Sequence, residues 1–124
     1  MILAIVQARM SSERLPGKVL KEISGKPMIQ YLLERLSLAN RIDNIVLATS
    51  VDKESDPLDI FVRKLGFDVF RGSEKDVLDR FYQAAKNYKP DVVMRITGDC
   101  PLIDPTICDR LVDFYKNEHA DYAA

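Results

Sequence analysis

Ten residues near the N-terminus concentrate charge that could hold a polyanion. Arg9, Arg14 and Lys18 lie in the run Arg9-Met10-Ser11-Ser12-Glu13-Arg14-Leu15-Pro16-Gly17-Lys18, with one carboxylate and two hydroxyls among them. Pro16 stiffens the turn and Gly17 permits close backbone approach. A nucleoside triphosphate carries about four negative charges, and charge-assisted bonds from fixed cations are the strong way to hold it. Arg suits bidentate phosphate contact, whereas Lys acts as a point charge. The same composition also fits a solvated basic loop, and the residues alone leave both readings open. Neither G-x-x-x-x-G-K-[ST] nor G-x-G-x-x-G occurs, which argues against a P-loop and a dinucleotide fingerprint.

A second candidate is Thr97-Gly98-Asp99-Cys100-Pro101-Leu102-Ile103-Asp104-Pro105. A carboxylate at a strand tip is well placed to hold Mg²⁺ between two phosphates, so Asp99 is the candidate metal ligand, and Gly98 would let a phosphate chain lie close. Equally, Asp99 could satisfy loop amides. Asp104 reads better as a helix cap. In Arg71-Gly72-Ser73-Glu74-Lys75-Asp76, a helix start favours an anion or a polar base edge. Glu74 and Asp76 read better as complements to the helix dipole, and Ser73 as its N-cap. Asp79 and Arg80 are either a surface pair or pocket-lining. Thr49 and Ser50 end a strand where a hydroxyl could touch a base or ribose, or could do nothing. Cys100 and Cys108 are too few for a disulfide scaffold or a Cys-rich zinc site. His119, the one histidine, is expected to be solvated, which argues against a His-based relay.

The elements that must position these residues follow from periodicity. Ile2 to Ala8 is a nearly unbroken apolar run, as in a parallel strand buried on both faces. Further strands are expected over 44–49, 67–70 and 91–97. Helical spacing joins Met28, Leu32, Leu33 and Leu36; then Leu58, Val62 and Leu65, stopped by Gly66; then Val77, Leu78, Phe81, Ala84, Ala85 and Tyr88; then Ile107, Leu111, Val112 and Tyr115. Ser24-Gly25-Lys26-Pro27 reads as a turn. Strict strand–helix alternation predicts one α/β domain over 1–124. Its open, mostly parallel sheet has helices on both faces and right-handed crossovers. Ligands of such sheets bind beyond the carboxyl ends of the strands, which selects the loops named above.

The chain's 124 residues carry 18 Lys and Arg against 19 Asp and Glu, a formal charge of −1. That balance argues against a dedicated nucleic-acid binder. No apolar run approaches the ~20 residues that cross a bilayer, and no secretory leader is expected. A reducing, cytoplasmic setting is the default.

Several linked motifs resemble the sugar cytidylyltransferases. They are Gln7-Ala8-Arg9, Ser12-x-Arg14-Leu15-Pro16-Gly17-Lys18 and Gly25-Lys26-Pro27-Met28-Ile29. The 3-deoxy-manno-octulosonate and N-acylneuraminate enzymes belong to that family. Gln7 stands where those relatives have Pro. With Arg71-Gly72-Ser73-Glu74-x-Asp76-Val77-Leu78-Asp79-Arg80 and Gly98-Asp99-Cys100-Pro101, the chain is more similar to the spore coat polysaccharide biosynthesis protein F branch.

The resemblance implies a glycosyltransferase-A-like nucleotide-binding half with strand order 3-2-1-4. It implies attack of a sugar or sugar-acid hydroxyl on the α-phosphorus of CTP, with pyrophosphate leaving and Mg²⁺ assisting. By that likeness Arg9 and Lys18 clamp the triphosphate and carry catalysis by positioning and charge stabilisation. Ala8 presents its backbone to cytosine, Gly72 borders the nucleoside, and Asp99 ligates the metal. Arg14, Gly17, Thr49 and Gly98 complete the expected nucleotide contacts.

The likeness covers the N-terminal half of the family's chains. The expectation is therefore a nucleotide half-site without the sugar-binding half, and self-association through the open edge of the fourth strand. Two other readings stay in play: a non-catalytic nucleotide-binding or assembly module, and a nucleotide-sugar glycosyltransferase. The chain has no Asp-x-Asp triplet to favour the latter.

Overall fold

The computed structural model describes residues 1–8, 20–23, 25–73, 75–98 and 103–117. In chain order they form β1 (Ile2–Gln7), β2 (Glu22–Ile23), β3 (Lys26–Pro27), α1 (Met28–Leu36), β4 (Asn44–Ser50), α2 (Asp56–Lys64), β5 (Asp68–Gly72), α3 (Val77–Tyr88), β6 (Val92–Thr97) and α4 (Pro105–Asn117). A 3₁₀ turn, Lys53–Ser55, leads into α2.

The apolar run at the N-terminus becomes the central strand. All six residues of β1 are buried. It pairs in parallel with β4 on one side and β6 on the other, through Gln7↔Ala48 and Gln7↔Thr97 at its last rung. The sheet order is β5-β4-β1-β6. Counting only these four strands, that is the expected 3-2-1-4. The expected turn at 24–27 differs: Lys26 and Pro27 pair antiparallel with Glu22 and Ile23 in a separate ribbon. Gly25 sits at its tip with φ +90°, a conformation glycine adopts without steric cost.

Side chains alternate across a strand, so each face of the sheet collects its own core. On one face Ala4, Val6, Leu47 and Ile96 meet Ile29, Leu32, Leu33 and Leu36 of α1, Leu58 and Val62 of α2, and Cys108 of α4. On the other, Leu3, Ile5, Val46 and Ala48 meet Phe81, Ala84, Ala85 and Tyr88 of α3. The result is a three-layer α/β/α arrangement.

Two residues depart from the helical patterns. Leu78 of α3 is 79% exposed, and Ile107 of α4 is 61% exposed; the inner face of α4 is instead built on Cys108 and Val112. The departures share a physical cause. Arg80 of α3 is pressed against Gly72 at the end of β5. At about 100° per residue, Leu78 and Tyr82 fall on the opposite flank, away from the sheet. In α4, Asp109 accepts from the Asn40 and Arg41 amides and Asp113 from the Arg41 guanidinium. That anchors one flank of α4 beside the end of α1 and leaves Ile107 and Phe114 exposed. Among the described residues β6 is an edge strand of the sheet.

Tyr88 closes the α3 layer by donating its hydroxyl to Asp68 Oδ2 at 2.9 Å. Burial, helped by the Asp68 carboxylate, pushes its phenol up from 10.0 to about 12. A group whose pKa is raised by folding supplies stability that is intact below the unfolded value and lost as pH climbs toward the folded one. The chain is therefore expected to lose stability between about pH 10 and 12. In Tyr88→Phe that part of the alkaline loss should disappear, as read by urea midpoints across this range.

Candidate functional site

The carboxyl ends of all four parallel strands lie along one edge, where open α/β sheets bind ligands. The tightest junction joins β1 to β6. The Gly98 amide donates to the Gln7 carbonyl oxygen at 2.8 Å, and the Ala8 amide to that of Ala48 at 3.2 Å. A methyl group on Gly98 would come within 2.6 Å of Ala8 Cβ and 2.9 Å of the Gln7 carbonyl oxygen. Only glycine fits here. Ala8 and Gly98, the last described residues before the first and fourth loops, therefore lie side by side.

Of the residues expected at a nucleotide site, Ala8, Thr49, Gly72 and Gly98 are brought to this edge. Arg9, Arg14, Gly17, Lys18 and Asp99 lie outside the described residues, as do Glu74, Cys100 and His119. The amide of Ala8 is already used, so a contact from its backbone to a base would go through its carbonyl. Thr49 is fully buried, and its Oγ1 finds no partner among the described residues. Gly72 pairs with Ser50, and its carbonyl oxygen accepts from the Val51 amide at 2.9 Å. A Cβ on Gly72 would meet Arg80 Cγ and a Phe70 ring carbon, each at 3.0 Å.

Two arginines take roles that local sequence patterns do not show. Arg71 spends its donors on the loop after β4: Nε to the Ser50 carbonyl oxygen at 2.9 Å, Nη2 to that of Asp52 at 2.7 Å, and Nη1 to Asp56 Oδ1 at 2.6 Å. It clamps β4's exit loop onto β5, so its charge is neutralised within the fold. Arg80 is 3% exposed, and its Nη1 donates to the Ser73 carbonyl oxygen at 3.2 Å. A guanidinium out of water is costly unless its donors are used. This one sits beneath the loop after β5 and brings positive charge to the strand ends. Asp79 next to it is exposed, so the two are not a surface pair.

The helix caps resolve too. Asp76, not Ser73, caps α3, its Oδ1 accepting from the Asp79 amide at 2.9 Å; Ser73 Oγ accepts from the Asp76 amide one step earlier. Asp104 takes the capping role expected of it, accepting from the Thr106 amide at 2.8 Å. Cys108 is buried, which pushes its thiol above the usual range and keeps it protonated and unreactive.

Among the described residues no group of three His, Cys, Asp or Glu side chains could hold a metal ion. Asp99, the expected metal ligand, lies outside the described residues. No helix among the described residues is long and apolar enough to cross a membrane.

This edge, with glycines at two strand ends and buried positive charge beneath, belongs to the nucleotide-binding class of α/β folds, as comparison with known proteins bears out. The Cytidylyltransferase family profile matches residues 3–124, and the chain belongs to that family. It is 42% identical over 125 residues to spore coat polysaccharide biosynthesis protein SpsF of Bacillus subtilis, covering 98% of this chain and 52% of the relative. It superposes with TM-score 0.91 and 38% identity on a cytidylyltransferase from Leptospira borgpetersenii, covering 96% of this chain and 50% of that one. The match to a CMP:2-keto-3-deoxy-manno-octonic acid synthetase complexed with CTP has TM-score 0.86 and 27% identity, covering 96% and 48%. The chain thus spans about half the length of the relatives it matches.

The contact between Gly98 and β1 has a direct test. Gly98→Ala is expected to destabilise the chain by about 1–3 kcal/mol, the usual cost of overpacking against backbone. A urea midpoint equal to that of the parent would mean that β1 and β6 separate freely at this end.

Proposed function

We propose that this chain is the nucleotide-binding half of a cytidylyltransferase that moves CMP from CTP to a sugar or sugar acid destined for a surface polysaccharide. The observation that carries the reading is the junction of Ala8 and Gly98. It sets Ala8, which precedes the run holding Arg9, Arg14, Gly17 and Lys18, against Gly98, which precedes Asp99, and so supports a shared site for the two loops. Family membership and likeness to a CTP-bound sugar-acid synthetase support the choice of CTP.

In this reading Arg9 and Lys18 grip the triphosphate, and Gly17 and Gly98 let its phosphates lie against backbone. The Ala8 carbonyl faces the base, and Gly72 borders the nucleoside. Thr49, fully buried at the same edge, forms part of the floor of the site. Mg²⁺ on Asp99, when bound, neutralises charge on the phosphates and polarises the α-phosphorus. The sugar hydroxyl attacks the α-phosphorus and gives up its proton to solvent, the bond to the bridging oxygen breaks, and pyrophosphate departs with the negative charge that Arg9 and Lys18 stabilise.

Calorimetric titration with CTP, UTP, ATP and GTP, with and without Mg²⁺, tests the assignment. CTP is expected to bind best, and only with the metal. Arg9→Ala and Lys18→Ala should each weaken CTP at least about tenfold, since a charge-assisted bond contributes about 1.5–3 kcal/mol. Both variants binding as the parent does would remove the loop from the site.

The edge position of β6 among the described residues, with Leu78, Tyr82, Ile107 and Phe114 exposed on the helices, supports association of two copies of this chain through that edge. Light scattering is expected to give the mass of a dimer. A monomer at high concentration would refute it.

A further inference from the structure

Gln7 is the last residue of β1, at the strand-end edge, and only 8% of it is exposed. Its Oε1 accepts from Arg95 Nε of β6 at 2.7 Å. A guanidinium has donors and no acceptor, so the atom facing it must be the carboxamide oxygen. That settles the orientation and leaves the amino group at the other end. Nε2 is buried, and no atom among the described residues accepts from it. A buried donor left unmade costs about 1–3 kcal/mol. A strand core could have used an apolar residue here at no such cost. The strand end thus holds an oriented, dry, unmade donor one residue before Ala8, at the end of the sheet where ligands bind.

We infer that Gln7 Nε2 reads the pyrimidine base, donating to the N3/O2 edge of cytosine, and that Arg95 is its positioning residue. This rests on the nucleotide reading above. Cytosine offers two acceptors, N3 and O2, on that edge, whereas uracil presents an N3–H donor and keeps only O2. Fixed as a donor, the carboxamide favours the first. Free to turn over, it could serve either. Arg95, on the exposed edge strand, prevents the turn.

The test is calorimetry with CTP, UTP and inorganic tripolyphosphate, all with Mg²⁺, on the parent, Gln7→Glu, Gln7→Met and Arg95→Met. Gln7→Glu keeps a partner for Arg95 and replaces the donor by an acceptor; Gln7→Met removes the donor without adding charge. Both are expected to weaken CTP at least about tenfold and to leave tripolyphosphate, which has no base, unchanged. Arg95→Met should narrow the preference for CTP over UTP while leaving tripolyphosphate alone. Thermal midpoints establish that each variant is folded. If either folded Gln7 variant binds CTP as the parent does, or loses CTP and tripolyphosphate equally, Gln7 does not read the base. A parent that binds tripolyphosphate but discriminates no base also overturns the inference. A parent that binds none of the three overturns the nucleotide reading, and this one with it.

Discussion

A parallel strand needs a hydrogen-bonding neighbour on each side and an apolar cover on each face, and β1 has all four. β4 and β6 take its backbone groups. α1, α2 and α4 pack on one face and α3 on the other. With six buried residues in a row, a register slip would bring no polar face outward, so the strand depends on its neighbours to set where it ends. They set it at Gln7, where the Gly98 amide takes the Gln7 carbonyl and leaves no room for a side chain. The positions of Ala8 and Gly98 follow from that termination.

Around this point the fold separates its positive charges by task. Arg71 is consumed in holding the exit loop of β4, with Asp56 and two carbonyl oxygens as partners. Arg80 is sunk under the β5 loop against Gly72. Arg95 orients an amide. The first two are tied into the fold, whereas Arg95 stays exposed on the outer strand. The fixed guanidinium of Arg80 leaves positive charge beneath the strand ends.

The four strands of the sheet and the four helices were legible because each carries its own signal. The unbroken run 2–8 announced a doubly covered strand, and the apolar spacing of 28, 32, 33 and 36 announced a helix in which those four residues are buried. The candidate loops were legible through the general rule for strand ends. The faces of α3 and α4 were less so. Leu78 and Ile107 fit the helical repeat as well as Phe81 and Leu111 do, and only the tethering of Arg80 and Asp109 to other elements rotates them outward. The cap of α3 shifted from Ser73 to Asp76 because both residues can accept from an amide, and the local path of the chain chooses between them.

By itself the amino-acid sequence determined the alternation of elements, the parallel sheet, the charge carried by the first loop and the likeness to cytidylyltransferases. These are properties of neighbouring residues and of order along the chain. The tertiary structure alone decided that Arg71 is a clamp, that Arg80 is buried, and that Gln7 is turned with its donor end free. Each depends on a contact between distant segments, such as Gln7 with Arg95, 88 positions apart. A hydrogen bond of that kind exists only once the register between strands is set, and register is a property of the assembled sheet rather than of either strand.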